Sequence, residues 1–78
     1  MRLMARRIFK DMNEEQQHVF IFLLKNVDAD GENLVEWLQR IQSGHDWVDA
    51  ETFSSYKRLT SVEFLEVVHF VTKHLLKN

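Results

Sequence analysis

Apolar and polar positions recur with a helical period along most of this chain, and the last stretch, residues 60–77, sets the pattern. It holds nine large apolar residues: Val62, Phe64, Leu65, Val67, Val68, Phe70, Val71, Leu75 and Leu76. Glu63, Glu66, Lys73 and Lys77 fall three to seven apart and so line one stripe of a helix. More than half the circumference is left apolar, which is more than one neighbouring helix covers. The pattern predicts a helix that is central in a small bundle or shared with a second copy. Thr60 and Glu63 have the spacing of a capping box, and Leu59 can staple to Phe64.

The same logic runs upstream. Asn13 can cap a helix, with Gln16 at the reciprocal box position and Glu14 and Glu15 at the positive end of the helix dipole. The run Val19 to Leu24 follows, and Lys25-Asn26 marks its end. The run alone would also suit a buried strand, but its flanks predict a helix buried nearly all round at its centre. Leu34, Trp37, Leu38 and Ile41 mark one face of a helix over 31–43, capped by Asp30, with Glu36 and Arg40 paired on another face. Ser43-Gly44 ends it, with glycine at the left-handed position. Trp47, in the next loop, is expected as a lid on the core, with an exposed partner anchor as the other reading. Asp49 caps a short helix over 50–59, on which Phe53 and Tyr56 point inward. The expected fold is a small all-α, single-domain bundle of four to five helices with short loops and roughly antiparallel neighbours.

The fifth helix would come from residues 1–12. Met4, Ile8 and Met12 share a face there, with Arg2, Arg6, Arg7 and Lys10 largely elsewhere. This reads as a frayed first helix docking by its Met/Ile side. An organellar presequence or a membrane-surface helix has the same pattern. Composition supports dense helical packing. The chain of 78 residues is 45% hydrophobic, with six Phe, two Trp, no Pro and no Cys. Disulfides and thiolate metal sites are therefore excluded. A membrane span is not expected, because the longest apolar run is six residues, Val19 to Leu24.

The net charge of −2 hides an uneven distribution. Residues 1–10 carry +4, whereas 28–51 hold seven acids against one base, Arg40. Phosphate contacts dominate nucleic-acid affinity, so an acidic body favours a basic protein surface over DNA. A helix-turn-helix over 31–43 and 50–59 would open its recognition helix on Asp49 and Glu51, whose sign is wrong for phosphates.

Covalent chemistry finds little to work with. His69 and His74 are five apart, where a helical metal pair needs three or four. His45 with Asp46 and Asp49 lacks a fourth ligand. Asn26, Asp28, Asp30 and Gly31 begin as a calcium loop begins, but Trp37 stands where the bidentate carboxylate belongs. Ser54 and Ser55 lack a nucleophile-elbow setting, and Gly31 and Gly44 make no phosphate loop. No catalytic residue, metal or cofactor is assigned.

Contact with another protein is the expected activity. Asp28, Asp30, Glu32, Glu36, Asp46, Trp47, Asp49 and Glu51 are the candidate partner-binding residues, an acidic rim around an aromatic anchor. Phe64, Val67, Val68, Val71 and Leu75 are the candidate homodimer face. A direct helix-turn-helix DNA binder and a structural assembly subunit are the alternatives.

Glu14, Glu15 and Gln17, then Leu34, then Ile41, Gly44, Val48, Asp49, Thr52 and Phe53, make up a pattern that resembles the AbbA family of small Bacillus antirepressors. Its members share an E-E-Q start and an I-x-x-G-x-x-x-V-D-x-x-T-aromatic stretch. The resemblance covers about half the chain, which departs from the family in its basic N-terminal extension and its longer, more apolar last helix. It implies an all-α dimer that occupies the DNA-binding face of a transcription regulator by presenting DNA-like negative charge. Such a protein would be cytoplasmic.

Overall fold

The computed structural model of the chain describes residues 12–44 and 46–77. The expected N-terminal helix, Met12 apart, and any role of His45 lie outside the described residues. The described residues form four helices: α1 Glu14–Asn26, α2 Leu34–Ser43, α3 Ala50–Arg58 and α4 Ser61–Leu76. Among the described residues there is no strand.

Local chemistry sets three of the four starts as expected. The Asn13 side chain accepts from the Gln16 N–H at 2.8 Å, and the Gln16 side chain accepts from the Asn13 N–H at 2.9 Å. Thr60 and Glu63 repeat this reciprocal box at α4, and Asp49 caps α3 through the Thr52 N–H at 2.9 Å. The fourth start differs. α2 begins at Leu34 rather than 31, because Gly31 adopts φ +74°, outside the helical region, so the bond from the Glu32 N–H to the Asp30 carboxylate at 3.1 Å closes a turn and starts no helix. Asn33 then occupies the cap position but makes no capping bond. Its side chain reaches back, accepting from the Asp28 N–H and donating to the Asn26 carbonyl, and so holds the α1–α2 loop shut.

The hub of the bundle is α1, not the terminal helix. α1 packs most extensively on α3 and α4 and also meets α2. It buries Gln16, Val19, Phe20 and Leu23, an i, i+3, i+4, i+7 set on one face. Ile21 stays 39% exposed, so the run is not enclosed all round. Glu15 meets Arg58 and His18 meets Ser55, so α1 and α3 are antiparallel. Asn13 meets Glu63, Gln16 meets Glu66, and the Phe20 ring lies edge-on to His74, so α1 and α4 run parallel. The α2–α3 excursion returns the chain to its starting end before α4 begins, which is why this pair breaks the expected antiparallel rule. α4 is thus covered along one side only, where Val67 and Val71 are fully buried.

One polar network lies inside this packing. The Gln16 amide nitrogen donates to the Glu63 carbonyl at 3.0 Å and to Glu66 Oε1 at 2.9 Å. With the bond from the Asn13 N–H, the buried amide is satisfied at both ends, as burial requires. Among the described residues no buried side-chain nitrogen or oxygen lacks a partner. No helix there is long and apolar enough to cross a membrane.

Candidate functional site

The acidic segment is shaped by the end of α2. Gly44 adopts φ +66°, and the Phe53 ring of α3 packs directly over its Cα. That contact draws the 46–49 loop across the bundle, where Val48 is buried. Trp47, one residue earlier, is turned outward and remains 57% exposed. The loop's core anchor is therefore Val48. The expectation of Trp47 as a core lid is corrected: Val48 takes the inward position, and the Trp47 ring lies against Arg40 instead.

Trp47 is nevertheless held. The guanidinium carbon of Arg40 lies 4.3 Å from the Trp47 ring centroid and 4.5 Å from that of Trp37. Both rings attract the same cation through their π faces. Arg40 Nη2 also bonds Glu36 Oε2 at 2.9 Å, the i,i+4 pair expected from the spacing. Trp37 in turn meets Phe22 of α1 edge-on at 5.7 Å. An exposed indole is thus tied through one arginine to the core.

The seven acids of the segment are all exposed, and they do different work. Asp30 and Glu36 are committed to the bonds already described. Asp49 caps α3, and the hydrogen bond from the Thr52 N–H holds its carboxyl below the usual carboxylate range. Glu51 Oε1 lies 3.9 Å from His18 Nε2. The carboxylates of Asp28, Glu32 and Asp46 make no hydrogen bond or ion pair among the described residues. The acids fall in two groups at opposite ends of α2, a helix about 15 Å long at 1.5 Å per residue. They do not converge: among the described residues, no three acids or histidines are grouped to hold a metal.

One cluster has the residue types of a hydrolase triad. His18 Nδ1 lies 2.8 Å from Ser55 Oγ, with Glu51 beyond the other ring nitrogen. Ser55 is only 4% exposed and sits inside α3, where the backbone N–H groups are consumed by the helix. A substrate carbonyl has neither access nor an oxyanion site. The contact is a packing bond between α1 and α3.

No protein-family model, curated protein or solved structure matches this chain. Its own surfaces carry the functional argument.

Along α4, the predicted dimer positions separate. Val67 and Val71 are fully enclosed by their own chain, while Phe64, Val68 and Leu75 are half-buried. The exposed apolar side chains of α4 are instead Val62 and Leu65, each 66% exposed, and Leu76, 86% exposed. Leu65 also walls an open groove of about 400 Å³ with Tyr56, Leu59 and Phe64, where α3 hands over to α4. Sequence reading missed this stripe because it fixed only the polar side of the helix. The orientation of α4 is set by Glu63 and Glu66 reaching Asn13 and Gln16, and that pairing has no local signature.

Proposed function

We propose that this chain is a small, non-enzymatic cytoplasmic regulatory protein that binds a basic surface on another protein through its α2 flank. One observation carries the reading. The only Arg or Lys between residues 28 and 51 is neutralised by Glu36 and held against two indoles. Among the described residues the carboxylates of Asp28 and Glu32 at one end of α2, and of Asp46 at the other, have no partner, and Asp46 is next in the chain to the exposed, held Trp47. A fixed aromatic at one end of an acidic helix flank suits a cationic partner, because charge steers the encounter and the ring anchors it. In its sharpest form the partner is a transcription regulator, and the acids take the place of DNA phosphates on its binding face. The resemblance to the AbbA antirepressors supports that form. Direct DNA binding by α2 and α3 is less well supported. α3 buries Thr52 and Ser55 against the bundle and leads with Glu51, so little of it is free to enter a groove.

Self-association is the second part of the reading, supported by the exposed apolar side chains of α4. An assembly role would use the same face.

The test is a triple charge reversal, Asp28→Lys, Glu32→Lys and Asp46→Lys, at positions whose side chains make no bond among the described residues. Proteins captured from source cells by the wild-type chain are identified and titrated against both forms. Affinity should fall by about a hundredfold or more with an unchanged circular-dichroism spectrum. Duplex DNA should compete for the same partner. Equal binding by the triple variant would overturn the reading. So would tight duplex binding by the wild-type chain itself that weakens steeply with salt.

A further inference from the structure

The outward face of α4 carries a seam. Val62, Leu65, His69, Thr72 and Leu76 follow one another at spacings of three, four, three and four. At about 100° per residue they lie within about 80° of each other. This is the a/d spacing by which two helices supercoil. Val62, Leu65 and Leu76 are exposed on it. Thr72 turns its hydroxyl back to the Val68 and His69 carbonyls, at 2.6 and 3.0 Å, which removes that group from the contact. The face through Val67 and Val71 is sealed against α1, so the seam has no intramolecular use.

The residues beside the seam indicate what covers it. Glu66 and Lys73 occupy equivalent e positions of successive heptads, and Val68 and Leu75 occupy the g positions. In an antiparallel pair, e faces e and g faces g. Glu66 of each copy then meets Lys73 of the other, and Val68 meets Leu75. A parallel pair would instead set each e against the g five residues before it, Glu66 opposite Ser61 and Lys73 opposite Val68, so the two charges would not meet. The e and g pairs call for the same alignment as the core layers Leu65 with Leu76 and His69 with Thr72. The groove walled by Leu65 lies at one end of α4 and its most exposed large apolar side chain, Leu76, at the other. An isologous contact joins such ends twice.

We propose, resting on the self-association reading, that a second copy of this chain packs its α4 antiparallel on the seam. The two-fold axis passes between the two His69–Thr72 layers, and Leu76 of each copy closes over Leu65 and the groove mouth of the other. α4 is about 24 Å long, so a single helix pair lies at the small end of specific interfaces and dissociates in about the micromolar range.

The chain has no cysteine, which makes cross-linking clean. Leu65→Cys and Leu76→Cys variants of the full chain are oxidised separately and as a mixture. Sedimentation equilibrium from about 1 to 300 µM gives the wild-type association state. The expected result is a wild-type dimer and a disulfide that forms only in the mixture. In the antiparallel pair, like positions lie about 16 Å apart along the axis, beyond the roughly 7 Å a disulfide allows. Lys73→Glu should raise the dissociation constant about tenfold with the helix content unchanged. A wild-type chain that is monomeric throughout overturns both self-association and this arrangement. A dimer in which either variant cross-links to itself, or the mixture fails to cross-link, overturns the arrangement and leaves self-association standing.

Discussion

Two glycines with nearly the same backbone allow two contributions to stability to be separated. Gly31 and Gly44 have φ +74° and +66°, where an L side chain is strained by about 1 to 2 kcal/mol. Alanine at either position restricts the unfolded chain and returns about 0.4 to 1 kcal/mol. The surroundings differ. A Cβ built on Gly31 has Leu75 Cδ1 as its nearest neighbour at 3.8 Å, an ordinary contact. A Cβ on Gly44 would overlap the outer edge of the Phe53 ring, at Cζ and both Cε atoms. That ring must move, and it stacks on Tyr56, which meets Phe64 edge-on at 5.1 Å. Overpacking of this kind costs typically about 1 to 3 kcal/mol.

Gly31→Ala should therefore destabilise by about 1 kcal/mol or less, and Gly44→Ala by about 2 to 4 kcal/mol. A chain of this length has about 4 to 12 kcal/mol in all, so the second change removes a large fraction. Urea unfolding followed by helical circular dichroism measures both. A double-mutant cycle isolates the clash: in a Phe53→Ala background, Gly44→Ala should cost no more than Gly31→Ala does in the wild type. Equal costs for the two single variants would refute the reasoning. So would a Gly44→Ala cost unchanged by removal of the Phe53 ring.

Three further outcomes follow from the caps and the buried amide. Gln16→Glu replaces a donor to Glu66 with a second carboxylate, and should cost about 2 kcal/mol at neutral pH. Pairing the two carboxylates raises the pKa of one, so that loss should shrink as the pH is lowered through about 5, read from urea midpoints. Thr60→Ala should cost about 1 kcal/mol, a fall of about 4 to 8 °C in melting temperature. The Asp49 carboxyl is held below its ordinary range by the Thr52 N–H, so its contribution is complete above about pH 4 and is lost as the pH falls through the folded value. The stability curves of the wild type and Asp49→Ala should therefore differ at neutral pH and converge in acid.

What could be read from residues alone is what residues decide locally. Asn13, Asp49 and Thr60 bond within three positions of themselves, and each start was legible for that reason. Gly44 was legible as a stop, but its contact with Phe53, nine residues on, was not. The α2 start failed where two local bonds compete. Asp30 and Asn33 each have a cap's chemistry, and both spend it on loop backbone. The positions of Trp47 and of the α4 faces were hidden for a different reason. They depend on which way a helix is rolled, and that is set across the bundle by Gln16, Glu63, Glu66 and Arg40. The total of apolar residues on α4 showed that a second face needed covering. It did not show that Val67 and Val71 face α1 while Val62, Leu65 and Leu76 face out. A satisfied buried amide fixes that roll because rotating α4 by one position would turn Glu66 by about 100° and take away the side-chain acceptor of Gln16. The polar bond at the centre of the packing thus determines which apolar side chains are available to a partner.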